Sequence, residues 1–327
     1  MGHASQVARR QFGRRAATAS RKTRNQNSDS VALPKYLSAN RLDTILQAAL
    51  DEDVGSGDVT TLATVPPDQT AVGTITAKAD GVAAGLEAAA RAFARVDEPV
   101  EVTWTQEDGA SVHPGDTVGT IRGSARALLT AERLALNVMQ RMSGIATATR
   151  RMVDAVQPHD PAILDTRKTA PGLRRLDKWA VRLGGGTNHR LGLHDLILIK
   201  DNHIAAAGGV NEALDAAVRY RNTHNPSLKI EIETRTLDEV RTACAHGAPD
   251  ILLLDNMARR QPDGSVDTGM LDTALGIVDG RHRTEASGTV TLDTVTAIAA
   301  TGVDAISSGA LTHSVTALDL SMGIALQ

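Results

Sequence analysis

Residues 165–203 hold eight basic residues (Arg167, Lys168, Arg174, Arg175, Lys178, Arg182, Arg190 and Lys200), three histidines (His189, His194 and His203) and only four acids. Fixed cations gathered in this way call for a strongly anionic ligand, and carboxylates and phosphates are the groups that arginine forks recognise. Arg167, Lys168, Arg190 and Lys200 end short apolar runs or follow a glycine triplet, and are assigned to ligand contact. Arg174, Arg175, Lys178 and Arg182 are assigned to a solvated helix face. Gly184-Gly185-Gly186, ahead of Thr187-Asn188-His189-Arg190, reads as a loop whose backbone can approach a ligand closely. Further along, Glu233 and Asp255 are suited to bind ribose hydroxyls, to hold Mg²⁺, or to stabilise a positively charged sugar transition state. As a metal site alone the two acids fall short of ligands, so Mg²⁺ would be held mainly by substrate oxygens. Ser287-Gly288 and Gly309 offer backbone N–H groups where barrels commonly bind phosphate.

The elements that must position these residues repeat a simple grammar: a short apolar run, a polar or small residue, then a helical stretch. Lys168, Lys200, Glu233, Asp255, Ser287 and Gly309 mark the turning points, 22 to 33 residues apart, the length of a strand-plus-helix unit of a parallel α/β barrel. Six such units are visible. In such barrels the strands' C-terminal ends converge on one pocket. Upstream, Asn40 is a candidate N-cap for a helix carrying Leu42, Ile45, Leu46, Ala49 and Leu50 on one face. Alternating segments between Val72 and Leu128 surround an Ala-rich helix at 83–96, which predicts a small α+β domain. A long helix over 130–156, with a candidate interruption at Gly144, should bridge the two parts.

The chain has 327 residues, a length suited to two domains. Its one cysteine, Cys244, supports neither an intramolecular disulfide nor a cysteine zinc cage, and falls to plain packing. Six aromatic residues are too few for the stacking platforms of single-strand nucleic-acid binders, and the longest apolar runs are too short to span a membrane. Residues 1–30 carry seven basic residues against Asp29, and the rest of the chain is correspondingly acidic. This leader, taken as 1–32, reads first as a solvated tail or an upstream start; an organelle transit peptide is the alternative and a nucleic-acid arm a distant third. The expected compartment is the cytoplasm, with plastid or mitochondrion following if the leader is a transit signal.

Three stretches, Thr166-Arg167-Lys168-Thr169-Ala170-Pro171-Gly172, residues 184–190 and Ile199-Lys200-Asp201-Asn202-His203, resemble the quinolinate phosphoribosyltransferase family, also called nicotinate-nucleotide pyrophosphorylase (carboxylating). So do Glu52–Asp58, Glu132–Asn137 and Gly309–Ser314, and the resemblance runs from about residue 38 to the C-terminus. It implies a small N-terminal α+β sandwich domain (33–145), completed by a C-terminal helix (314–327). An incomplete, six- to seven-stranded α/β barrel of the type II phosphoribosyltransferase kind (146–313) follows. It implies coupling of quinolinate with phosphoribosyl pyrophosphate, with Mg²⁺, to nicotinate mononucleotide, pyrophosphate and CO₂. Arg133, Arg167, His189 and Arg190 would bind the two carboxylates, Arg133 reaching in from the neighbouring subunit of a homodimer. Lys168 and Lys200 resemble the lysines between dicarboxylate and pyrophosphate, Glu233 and Asp255 the pair at ribose and Mg²⁺, and Ser287, Gly288, Gly309 and His313 the 5-phosphate cradle. Thr187, where a basic residue is more usual, would alter the pocket's charge, and Thr289, where Gly or Asn is usual, departs within the phosphate loop.

The same residues leave three rival readings. A nicotinate-using, ATP-coupled relative handles one carboxylate, and a molybdate-associated relative shares the motifs. A noncatalytic dicarboxylate- or phosphate-binding module would gain nothing from the acids Glu233 and Asp255.

Overall fold

The computed structural model describes residues 33–96 and 99–327, so the basic leader lies outside the described residues. Helix α1 (Ala39–Val54) turns Leu42, Leu46 and Leu50 inward at helical spacing. Its N-cap is Ser38, not Asn40. The Ser38 hydroxyl accepts the Arg41 N–H from an extended backbone conformation, which serves a helix start as well as an asparagine would. Asp58 caps α2 (Val59–Thr64) in the same way. Strands β1 (Thr70–Ala77) and β2 (Gly81–Val82) follow, then α3 (Leu86–Phe93), β3 (Val100–Trp104), β4 (Ser111–Val112) and β5 (Thr117–Ser124). The Ala-rich helix is shorter than the composition predicts, because the N–H groups of Val82 and Ala84 donate sideways to the hydroxyls of Thr147 and Ser143.

Both hydroxyls belong to α4 (Ala125–Ala155), which is continuous through Gly144. Gly144 is there for contact: a Cβ would lie 2.2 Å from the carbonyl oxygen of Thr316. Strand β6 (Ala162–Leu164) opens the second half, followed by α5 (Arg174–Leu183), β7 (Ile197–Ile199), α6 (Asp201–Ala207), α7 (Val210–His224), β8 (Ile230–Thr234), α8 (Leu237–His246) and β9 (Ile251–Asp255). A short antiparallel hairpin follows, β10 (Arg259–Arg260) and β11 (Val266–Asp267). After it come α9 (Gly269–Val278), β12 (Arg283–Ser287), α10 (Leu292–Ala300), β13 (Ala305–Ser307), α11 (Ala310–His313) and β14 (Leu320–Leu326).

Six strands form one parallel sheet in the order β6-β13-β12-β9-β8-β7. Between its ends β6 and β7, Thr187 makes a single parallel bridge to Leu164. Its N–H donates to Ile163 O at 2.8 Å, and it accepts from Asp165 N. The barrel is therefore six strands and a one-residue seventh. The first sheet is antiparallel, β14-β1-β5-β3. Its edge strand corrects the expected C-terminal helix: Leu320, Met322, Ile324 and Leu326 alternate, and the segment pairs with β1 from Ala71↔Leu326 to Ala77↔Leu320. Period-two apolar residues beside an open strand edge satisfy more backbone groups as strand than as a short helix.

Two apolar cores result. One centres on Phe93, Met139 and Trp179, the other inside and around the parallel sheet, with Ile232, Leu252 and Ile306 fully buried. Helix α4 touches both. Arg141 on α4 grips Asp177 on α5 with two hydrogen bonds of 2.8 Å, a forked pair with a buried acid that fixes the first unit of the barrel against the bridging helix.

Candidate active site

The C-terminal ends of the parallel strands enclose a cavity of about 960 Å³. Every ligand-contact residue expected from the sequence lines it except Arg133. Arg167 and Lys168 come from the loop after β6, His189 and Arg190 from the bridge segment, and Lys200 from the end of β7. Glu233 and Asp255 end β8 and β9, Ser287 and Gly288 lie at and after β12, and Gly309 and His313 follow β13. Arg133 is exposed on α4, away from its own chain's cavity.

The bridge segment shows how a motif is held. Asp165, fully buried, accepts from His189 N at 2.9 Å and Asn188 Nδ2 at 2.6 Å, and pairs with the ammonium of Lys178. Lys178 also donates to His189 O at 3.0 Å, while Tyr36 O–H donates to Asn188 Oδ1 at 3.0 Å. Lys178 is thus not on a solvated face; it is wholly buried and pins the loop that presents His189 and Arg190. Arg174 is half-buried, donating to Thr169 Oγ1 and Leu191 O. Burial pushes Asp165 up and Lys178 down, each against the other's charge. The glycine triplet serves packing as well: a Cβ on Gly184 would meet Ala146 O at 2.4 Å and one on Gly186 would meet Thr149 at 2.7 Å, both on α4. None of the three lines the cavity. Thr187 is exposed outside it and works through its backbone, so it does not set the pocket's charge.

At the cationic end, Arg167 has a buried Nε without a partner, and burial plus the charge of Arg167 lower the proton affinity of Arg190. Two guanidiniums that repel across a gap are poised for an anion. His189 is differently used. Its Nδ1 accepts the Arg190 N–H at 2.6 Å, and its Nε2 lies 3.2 Å from Glu231 Oε2 and 3.5 Å from Glu285 Oε2. Burial opposes a charged ring, but the hydrogen bond and charge of Glu231 and the charge of Glu285 outweigh it and raise the pKa. Nδ1 is thus engaged within the protein, and Nε2 stands between two buried carboxylates. His189, Glu231 and Glu285 place donor atoms within 4.8 Å of one another, a spacing open to a metal ion. With Nδ1 occupied, however, the ring's proton stands on Nε2 and leaves no lone pair for one.

At the other end Glu233 is 3.3 Å from Lys200. Arg235 reaches three acids: Asp201 at 2.6 Å, Glu233 at 3.0 Å and Asp255 at 3.3 Å. The hard carboxylate oxygens of Glu233 and Asp255 suit Mg²⁺, and two carboxylates leave most of its shell to water or substrate. In the loop after β12, Gly288 has φ +99°, and a Cβ there would strike Asn256 at 2.3 Å. Thr289 also lines the cavity, at φ +50°, a conformation that costs a β-branched residue roughly 1–2 kcal/mol and explains why Gly or Asn is the easier occupant.

Sequence reasoning missed Arg235, Glu231, Glu285 and the locking role of Lys178. The available signals were an arginine two residues beyond a strand-end glutamate, and a glutamate inside each of two apolar runs, Ile230-Glu231-Ile232 and Thr284-Glu285-Ala286.

Family models of the quinolinate phosphoribosyl transferase N- and C-terminal domains match residues 58–143 and 145–323. The chain belongs to the quinolinate phosphoribosyltransferase family. It is 50% identical over 289 residues to the chloroplastic nicotinate-nucleotide pyrophosphorylase [carboxylating] of Oryza sativa subsp. japonica, covering 86% of this chain and 77% of that protein. To the probable enzyme of the same name from Bacillus subtilis it is 42% identical, covering 88% and 94%. Among solved structures, NadC from Streptococcus pyogenes superposes with a TM-score of 0.81 at 39% identity, covering 89% of this chain and 99% of that one. Human nicotinic acid phosphoribosyltransferase, at 13% identity and a TM-score of 0.52, shares the fold alone. Other plant family members are named mitochondrial. Among the described residues no helix is long and apolar enough to cross a membrane.

Proposed function

We propose that this protein transfers the phosphoribosyl group of phosphoribosyl pyrophosphate to the ring nitrogen of quinolinate and releases pyrophosphate and CO₂, leaving nicotinate mononucleotide. The observation that carries this reading is that one cavity collects two guanidiniums without a carboxylate partner among the described residues, Arg167 and Arg190, together with two lysines, two carboxylates and a loop of backbone N–H groups. A dicarboxylate, a pyrophosphate, a ribose and a terminal phosphate need these partners.

Arg167 and Arg190 hold the two ring carboxylates and aim the ring nitrogen at C1 of the ribose, while His189 forms the wall behind them. Lys168 and Lys200 stabilise the pyrophosphate as it takes up negative charge on leaving. Glu233 and Asp255 face the ribose, where positive charge develops, and Ser287, Gly288, Gly309 and His313 receive the 5-phosphate. Bound Mg²⁺ would neutralise the departing pyrophosphate, held chiefly by substrate oxygens with Glu233 and Asp255 in reach. We extend the reading to a homodimer in which Arg133 of one protomer enters its partner's cavity; the exposed place of Arg133 on α4 supports this. The cytoplasm remains the compartment proposed, with an organelle as the alternative, decided by imaging the full chain beside one lacking residues 1–32.

The test is release of labelled CO₂ from ring-carboxyl-labelled quinolinate by the purified chain. Release that requires both phosphoribosyl pyrophosphate and Mg²⁺ is expected. Turnover of nicotinate with ATP instead, or dicarboxylate binding without release, would overturn the reading.

A further inference from the structure

Replacing the 2-carboxylate of quinolinate by hydrogen consumes a proton at ring carbon C2. The roles given to the cations account for binding and for pyrophosphate departure, and none of them supplies that proton. We infer that Glu285 is the catalytic acid that protonates C2 as the carboxylate leaves, an inference that rests on the phosphoribosyl-transfer reading above.

Glu285 sits on β12, 2% exposed, yet it lines the cavity beside the groups that hold the dicarboxylate. Its Oε2 is 3.5 Å from His189 Nε2, and its Oε1 is buried without a partner. Glu231, fully buried on β8, shares the same imidazole at 3.2 Å. The donor atoms of His189, Glu231 and Glu285 lie within 4.8 Å of one another, and a second carboxylate that close favours the protonated form of Glu285. Burial first, and then the charge of Glu231, push Glu285 up to about 7, against the opposing charge of His189.

The step balances. Once the ring nitrogen carries the ribose and a positive charge, the bond from C2 to its carboxylate breaks, its electron pair stays on C2, and CO₂ forms. The proton on Glu285 moves to C2 to make the C–H bond, and Glu285 is left as a carboxylate facing His189. Without that proton the C2 carbanion recaptures the CO₂ held in the cavity. Of the other proton-bearing groups, His189 Nε2 lies nearer Glu231 than Glu285, at 3.2 against 3.5 Å, Lys200 pairs with Glu233, and Lys168 is assigned above to the pyrophosphate.

Glu285→Gln in the full chain tests this by separating the two half-reactions. In single turnovers CO₂ release is expected to fall at least about a hundredfold, a usual loss for a general acid. Pyrophosphate release should fall less than about tenfold, quinolinate binding measured by calorimetry should be retained, and the undecarboxylated dicarboxylate mononucleotide should accumulate in mass spectra. Glu285→Asp, which keeps an acid, should recover CO₂ release above the Gln level. Parallel loss of pyrophosphate and CO₂ without that nucleotide, or CO₂ release by the Gln variant at the wild-type rate, would overturn the assignment. Wild-type protein that transfers no phosphoribosyl group to quinolinate would instead overturn the parent reading, and this one with it.

Discussion

Arg190 separates recognition by shape from recognition by charge. Arg190→Lys keeps the cation but loses the planar fork that meets a carboxylate with two hydrogen bonds, so kcat/KM for quinolinate should fall about ten- to a hundredfold, with KM for phosphoribosyl pyrophosphate little changed. An equal loss for both substrates would remove Arg190 from the dicarboxylate end. Glu285 makes a second prediction, about stability. Its pKa stands at 4.5 ordinarily and about 7 in the fold. Between those values the folded chain keeps a proton that the unfolded chain releases, so this contribution is full below about pH 4.5 and is lost as pH rises through about 7. Glu285→Gln removes the dependence, and the melting temperature of wild type relative to the variant should decline from pH 5 to pH 8 in circular dichroism melts. A constant difference would show that Glu285 titrates normally. The cations at strand ends were legible in the sequence because lysine and arginine at a repeated turning point have few structural uses. The acids behind them were not: Glu231 and Glu285 stand inside ordinary-looking strands, and only three-dimensional closure of the barrel brings them to one imidazole. Lys178 was misread for a related reason, since nothing in its immediate neighbours distinguishes a buried lysine from an exposed one.

Elements here are held by groups outside themselves. Helix α3 starts at Leu86 with no capping side chain of its own, and Asp108, from the β3–β4 connection, accepts the N–H groups of Gly85 at 2.6 Å and Leu86 at 3.1 Å. Asp108→Ala leaves those donors unpaired and should cost about 1–3 kcal/mol, read as a lower denaturant midpoint at unchanged slope. Arg235 does the corresponding work at the cavity mouth, joining acids from the ends of β7, β8 and β9. Its side chain is half exposed, so these pairs add little stability. Removing it in Arg235→Ala should leave the melting temperature nearly unchanged, yet free the acids to bind Mn²⁺ several-fold more tightly in paramagnetic resonance titrations of the substrate-free protein. Unaltered Mn²⁺ affinity would show that Arg235 does not compete with a cation there. The strand ends themselves were readable from apolar runs and their spacing. Strand β14 was not, because seven residues with alternating apolar side chains become a strand only when β1, far away in the sequence, offers an unpaired edge.

At the scale of the whole molecule, what matters is what one chain leaves unfinished. Its cavity collects all the expected anion-binding groups but one, and that one, Arg133, stands exposed on the helix that joins the two sheets. If Arg133 acts in a partner's cavity, Arg133→Ala and Lys200→Ala damage opposite contributions to a shared site, and each homodimer should lose most activity. A mixed dimer then contains one site that combines the intact Lys200 of the first chain with the intact Arg133 of the second, and one site that lacks both. Random mixing makes about half of the dimers hybrids, each with one working site of two, so co-refolded or co-expressed variants should recover about a quarter of wild-type activity. Should both residues instead serve the same chain's cavity, every subunit in the mixture carries a damaged site and no activity returns. The experiment thus measures, with two inactive proteins, whether the active unit is one chain or two.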